Sequence, residues 1–117
     1  MEISLQATSY QAPLVHDGSE GILLAVPGIA STPALVGAQL QLYVQLIDSS
    51  GQLVGTALIW SETIPDVSPP ADSAAWWLPR AQYGFGDHLL VRIVFPSTTS
   101  SPPTTVTVHV HPRRVAP

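Results

Sequence analysis

Two histidines near the end of the chain, His109 and His111, stand two residues apart. On a strand that spacing sends both side chains off one face. Two imidazoles on one face can hold Zn²⁺ or Cu²⁺ once a third ligand arrives, and His16, Asp17 and His88 are the residues that could supply it. The plainer reading is that the pair continues a polar face begun by Thr105 and Thr107. Asp17-Gly18-Ser19-Glu20 has the oxygens of a loose calcium loop but not the EF-hand spacing, and reads as a turn. The expectation is therefore no metal and no cofactor.

Trp76 and Trp77 are adjacent, so on a strand they point to opposite faces. One belongs to the core. The other is covered by a neighbouring loop, anchors a protein interface, or, with Tyr43 or Trp60, stacks on a sugar ring. Nucleophilic hydrolysis has no support: there is no Gly-x-Ser-x-Gly elbow, and the histidines show no pairing with serine or aspartate. No carboxylate pair suggests glycoside hydrolysis, and no glycine-rich strand-to-helix turn suggests nucleotide binding. With no cysteine, thiol catalysis, disulfides and cysteine-based zinc sites are excluded. The chain reads as a non-enzyme.

The elements that would position these residues are strands. Leu40, Leu42, Val44 and Leu46 alternate with Gln39, Gln41, Tyr43 and Gln45, which gives one apolar face and one polar, uncharged face. Asp48-Ser49-Ser50-Gly51 suits a type I turn and returns the chain as a hairpin. Similar alternation marks Leu89–Phe95, Val106–Val110 and Ile3–Ala7. Ile22, Leu24 and Val26, and the run Ala74–Leu78, complete the set. The expected strands span residues 2–9, 21–27, 38–48, 52–61, 74–79, 87–95 and 104–111. Twelve prolines and eight glycines leave no room for a useful helix. About seven short strands with turn signals between them read as an antiparallel β-sandwich. The strand over 52–61 is apolar on both faces, with Val54, Leu58 and Trp60 on one and Leu53, Ala57 and Ile59 on the other. A sandwich strand should be polar outside, so a loop or a partner must cover it.

The 117 residues make one domain, 1–117, with a short basic tail at 112–117. A chain of this size buries roughly two thirds of its unfolded surface and needs no staples. Charged residues are 10% of the chain, against about 25% in an average domain. A surface that poor in charge is easily covered by a partner. All eight acids and Arg80 fall in residues 1–87, while Arg92, Arg113 and Arg114 follow with no acid. Three arginines cannot track a phosphate backbone, so nucleic acid is not an expected partner. Met1–Gln6 has no basic n-region and no long apolar core, so no secretory signal is read there. The longest apolar stretch, Gly21–Ala30, is too short for the roughly 20 residues a membrane span needs.

The stretch Ala71–Pro79 (Ala-Asp-Ser-Ala-Ala-Trp-Trp-Leu-Pro) with Tyr83–Arg92 resembles the last strands of immunoglobulin-like and fibronectin-type-III-like accessory domains of bacteria and phages. Val44-Gln45-Leu46-Ile47-Asp48 with Gly51 looks like their mid-domain hairpin. The resemblance covers about half the chain. It implies an immunoglobulin-like Greek key used as a spacer, an assembly part or a binding module. It also places Tyr83 near a tyrosine corner, although Gly84-Phe85-Gly86 departs from the usual spacing.

The leading expectation is a structural protein making protein contacts in a virion, a filament or another multi-subunit assembly. Trp60, Trp76, Trp77, Tyr43 and Arg92 are its candidate interface residues. A carbohydrate-binding module using exposed Trp and Tyr is the alternative, and a metal-dependent enzyme using His109 and His111 the second.

Overall fold

The computed structural model describes residues 2–15, 21–79 and 88–113, with the side chains of Val15 and Arg113 excepted. Eight strands follow in order: β1 (Glu2–Gln6), β2 (Gln11–Val15), β3 (Gly21–Val26), β4 (Gln39–Ile47), β5 (Leu53–Thr63), β6 (Ala74–Pro79), β7 (His88–Val94) and β8 (Thr105–Arg113). A single 3-10 turn, Pro33–Leu35, is the helical element among the described residues. The strands form two antiparallel four-stranded sheets, β1-β8-β3-β6 and β2-β7-β4-β5.

The antiparallel sandwich is the one the alternation called for, with one more strand. The expected strand over 2–9 ends at Gln6, and a strand that was not expected, β2, follows it in the other sheet. Between them the chain turns sharply, and the Ser9 and Tyr10 N–H groups both donate to the Gln6 carbonyl, at 3.1 and 2.6 Å. Tyr10 sits in the left-handed region at φ 52°. β2 carries Pro13, which a sheet tolerates on an edge strand, where one side of the backbone has no ladder to feed. Tyr10 then fixes the crossing. Its hydroxyl donates to the Pro103 carbonyl at 2.6 Å, and its ring meets Phe95 edge-on at 4.9 Å. Tyr83, expected at such a corner, lies outside the described residues.

The strand order pairs first with last: β1 with β8, β2 with β7, β3 with β6, and β4 with β5. The ribbon is rolled so that β8 also meets β3 and β7 also meets β4. That is a jelly roll, two Greek keys in eight strands. An immunoglobulin-like Greek key divides its strands four and three, so this order corrects that part of the expectation. The extra strand β2 is what lets four strands lie on each side.

Both inner faces are aliphatic. Leu5, Leu24, Leu78 and Val108 from one sheet meet Leu40, Leu42, Leu89, Val91 and Ile93 from the other, all essentially out of contact with water. β4 and β7 are neighbours as expected, with Leu40 opposite Ile93 and Leu42 opposite Val91. Ile29, Leu35, Ala38 and Ile64 close one end, held by bonds from Ile64 N–H to the Ala38 carbonyl and from Gly37 N–H to the Ile64 carbonyl. The β4–β5 hairpin turns at the other end.

Candidate docking surface

β5 is an edge strand, with β4 its partner strand. Its eleven residues do not alternate simply, because the register with β4 slips twice. Trp60 lies opposite Leu42, but the next pair is Leu58 with Tyr43, so Ile59 is an extra residue. A second slip between Leu46/Gly55 and Ile47/Leu53 leaves Val54 extra. Each bulge moves the following residues to the other face. Trp60 therefore packs inward against the core, whereas Leu58 shares the outer face with Tyr43. The expectation that Val54, Leu58 and Trp60 share a face is corrected by the bulge at Ile59.

The consequence is a set of aliphatic side chains in water. Leu53 is 56% exposed, Val54 65% and Leu58 51%, with Leu46 and Ile47 also exposed. Among the described residues, the pairing of β7 with β4 runs as far as Val44. Leu46, inward by alternation, is 48% exposed. Across sheet β2-β7-β4-β5, the register lines up Pro13, Leu90, Tyr43 and Leu58 as one apolar row. The row beside it holds Gln11, Arg92, Gln41 and Ser61. Tyr43 donates its hydroxyl to Gln41 Oε1 at 2.6 Å, and Ser61 donates to Gln39 Oε1 at 3.2 Å. Arg92 is the one arginine in these rows.

At the tip, the Gly51 N–H donates to the Asp48 carbonyl at 3.0 Å, and Gly51 takes φ 87°, a glycine conformation. Asp48 Oδ1 accepts from the Ser50 hydroxyl at 2.7 Å and from the Ser50 and Gln52 N–H groups at 2.9 Å. The Ser50 hydroxyl foremost, then the Gln52 amide, hold this carboxyl below its ordinary pKa. The turn expected at 48–51 is thus firmly built under the apolar tip.

The three tryptophans do not assemble into a platform. Trp60 and Trp76 lie between the sheets at their shared margin, edge to face at 5.8 Å. Trp77 turns outward from the other sheet, 40% exposed, and lies over Gly21, where a Cβ would come within 2.8 Å of its ring. Trp76 and Trp77 take opposite faces, as adjacency requires. Tyr43 and Trp77 stand on the two opposite outer faces of the sandwich. His109 and His111 share a face, their rings stacked at 6.1 Å, with Glu2 at 3.5 Å from His109. No cluster of three potential metal ligands occurs among the described residues. His88 belongs to the other sheet, and His16 and the Asp17–Glu20 loop lie outside the described residues. Among the described residues, two shallow hollows of about 230 and 370 Å³ are lined by proline, threonine, serine, glycine and aliphatic residues, with no titratable group in either.

Sequence reasoning marked β5 as two-sided but missed Leu46 and Ile47. No family model, no curated protein and no solved structure matches the chain.

Proposed function

We propose that this chain is a non-catalytic assembly protein, a jelly-roll sandwich that docks onto protein in a larger complex through the outer face and tip of its β4–β5 hairpin. One observation carries the reading: a bulge at Ile59 turns Leu58 into water on the hairpin whose tip also exposes Leu53, Val54 and Ile47. Exposed apolar side chains in this number mark a contact surface. Covering each of these half-exposed side chains contributes about 1 kcal/mol. Four of them come to the lower end of the roughly 4–15 kcal/mol that association costs. Apart from Arg92, the outer row beside them is amide and hydroxyl groups, cheap to desolvate compared with charges. Jelly rolls serve as capsid parts and as lectins alike, and fold alone does not choose. The aliphatic character of this patch favours protein over sugar.

The test is sedimentation of the protein in a gentle extract of cells that make it, wild type against Val54→Asp/Leu58→Asp. The expected result is a fast-sedimenting wild type and a variant that runs as a folded monomer. A variant that sediments like the wild type contradicts the proposal.

A further inference from the structure

We infer that His109 and His111 form a two-imidazole site for a late first-row divalent ion, Cu²⁺ ahead of Zn²⁺, on the outer face of sheet β1-β8-β3-β6. The site stands apart from the β4–β5 hairpin, and neither reading depends on the other.

The strand places the donors. His109 and His111 lie on β8 and share one face. Their rings stand side by side, 11° from parallel, with centroids 6.1 Å apart. Two residues of strand rise about 6.8 Å, so the rings are already closer than the backbone alone would bring them. Chelation asks for more. Metal–nitrogen bonds of about 2.0–2.1 Å at a right angle bring the two donor nitrogens to about 3 Å. Leaning the rings about their side-chain torsions supplies that approach, because His111 is exposed and the His109 side chain is 31% exposed.

The surroundings favour a cation. Glu2, across the ladder on β1, puts Oε1 3.5 Å from His109 Nε2. On the other side, β3 sets Ala25 opposite His109 and Leu23 opposite His111, and neither carries a charge to repel an ion. The chain as a whole is at −4, and a negative molecule concentrates cations at its surface. Glu2 and the two rings do not converge on one point, since no group of three ligands does so among the described residues. The donor set is therefore two imidazoles, with water completing the shell and Glu2 contributing charge beside it.

That donor set selects the ion. Imidazole suits Cu²⁺, Ni²⁺ and Zn²⁺, whereas Mg²⁺ and Ca²⁺ take oxygen ligands. Zinc is held by three or four protein ligands, and two hold it weakly. Cu²⁺ accepts a tetragonal shell of nitrogen and oxygen and heads the affinity order of the divalent series. The core is aliphatic and closed without the ion, so the site is a surface chelate and not a staple of the fold.

The test titrates Cu²⁺ alone, in a non-coordinating buffer, into the full chain, followed by calorimetry and electron paramagnetic resonance. The wild type should take up one ion per chain, with a spectrum showing two imidazole nitrogens. The second imidazole binds within a complex the first has formed, so His109→Ala and His111→Ala should each weaken uptake by about 100-fold. Glu2→Gln should weaken it less than either, and His88→Ala, on the other sheet, should leave it unchanged. Both histidines face outward, so urea midpoints without metal should stay close to wild type in all four variants. A wild type that takes up no stoichiometric ion overturns the site, as does uptake that survives His109→Ala and His111→Ala. Tighter binding of Zn²⁺ than of Cu²⁺ overturns the choice of ion.

Discussion

Truncating Ile93 to alanine and Leu58 to alanine removes similar aliphatic atoms from places that differ in one respect. Ile93 is 1% exposed and faces Leu40 across the β4–β7 ladder, in the centre of the core. Loss of its three carbons forfeits about 0.8 kcal/mol each in transfer, and the cavity adds to that, for about 3–4 kcal/mol in all. Leu58 already stands half in water, so its loss from the monomer should cost under about 1 kcal/mol. Arg92, outward between the two, should cost no more than about 0.5 kcal/mol. Urea unfolding followed by tryptophan fluorescence reads all three, since Trp60 and Trp76 touch each other and the core. With a slope of about 1–3 kcal/mol per molar urea, Ile93→Ala should lower the midpoint by about 2 M and the other two hardly at all. Equal losses from Ile93→Ala and either outward change would mean the faces are misassigned, and the docking argument would fall with them.

Other outcomes follow from the same geometry. Gly21→Val places a Cβ 2.6 Å from the Leu78 carbonyl oxygen and 2.8 Å from the Trp77 ring, so unfolding should show a loss of about 1–3 kcal/mol, with Trp77 emission shifted. Tyr10→Phe removes the bond to Pro103 and should cost about 0.5–1.5 kcal/mol in the same assay. Asp48, with its carboxyl pKa lowered in the folded state first by Ser50, adds stability that is present above the ordinary carboxylate value of about 3.9 and is lost as pH falls through the folded value. The Ser50 and Gln52 amide resonances should move in that acid window, and Asp48→Asn should abolish the movement.

The sandwich was legible because its strands obey the period of two. Leu40–Leu42 and Leu89–Ile93 each declare an inner face that is the core, while Leu46, on the same alternation, is half exposed. The tight turn at Asp48–Gly51 was legible because turn chemistry is local. β2 was missed because Pro13 reads as a strand breaker, a rule that relaxes on an edge. Strand order was beyond reach because it depends on pairings between residues nearly the whole chain apart, such as Glu2 with His109. The surface was half legible. Composition showed β5 to be apolar on two sides, but alternation gave the wrong partition. A bulge is a property of two strands in register and leaves no mark in one of them. Trp60 and Trp77 could not be told apart for the same reason: a tryptophan on an edge strand is core or surface according to what the opposite sheet sets against it.

Hydrogen exchange of the peptide spanning residues 53–61 tests the docking role most directly. In the dispersed monomer, the outer amides of β5 should exchange with water quickly, as edge amides without partners do. In the assembled form they should become protected, while the β1 and β2 edges exchange as before. Protection that appears on β1 or β2, with β5 exchanging equally fast in both forms, would contradict a contact through this hairpin.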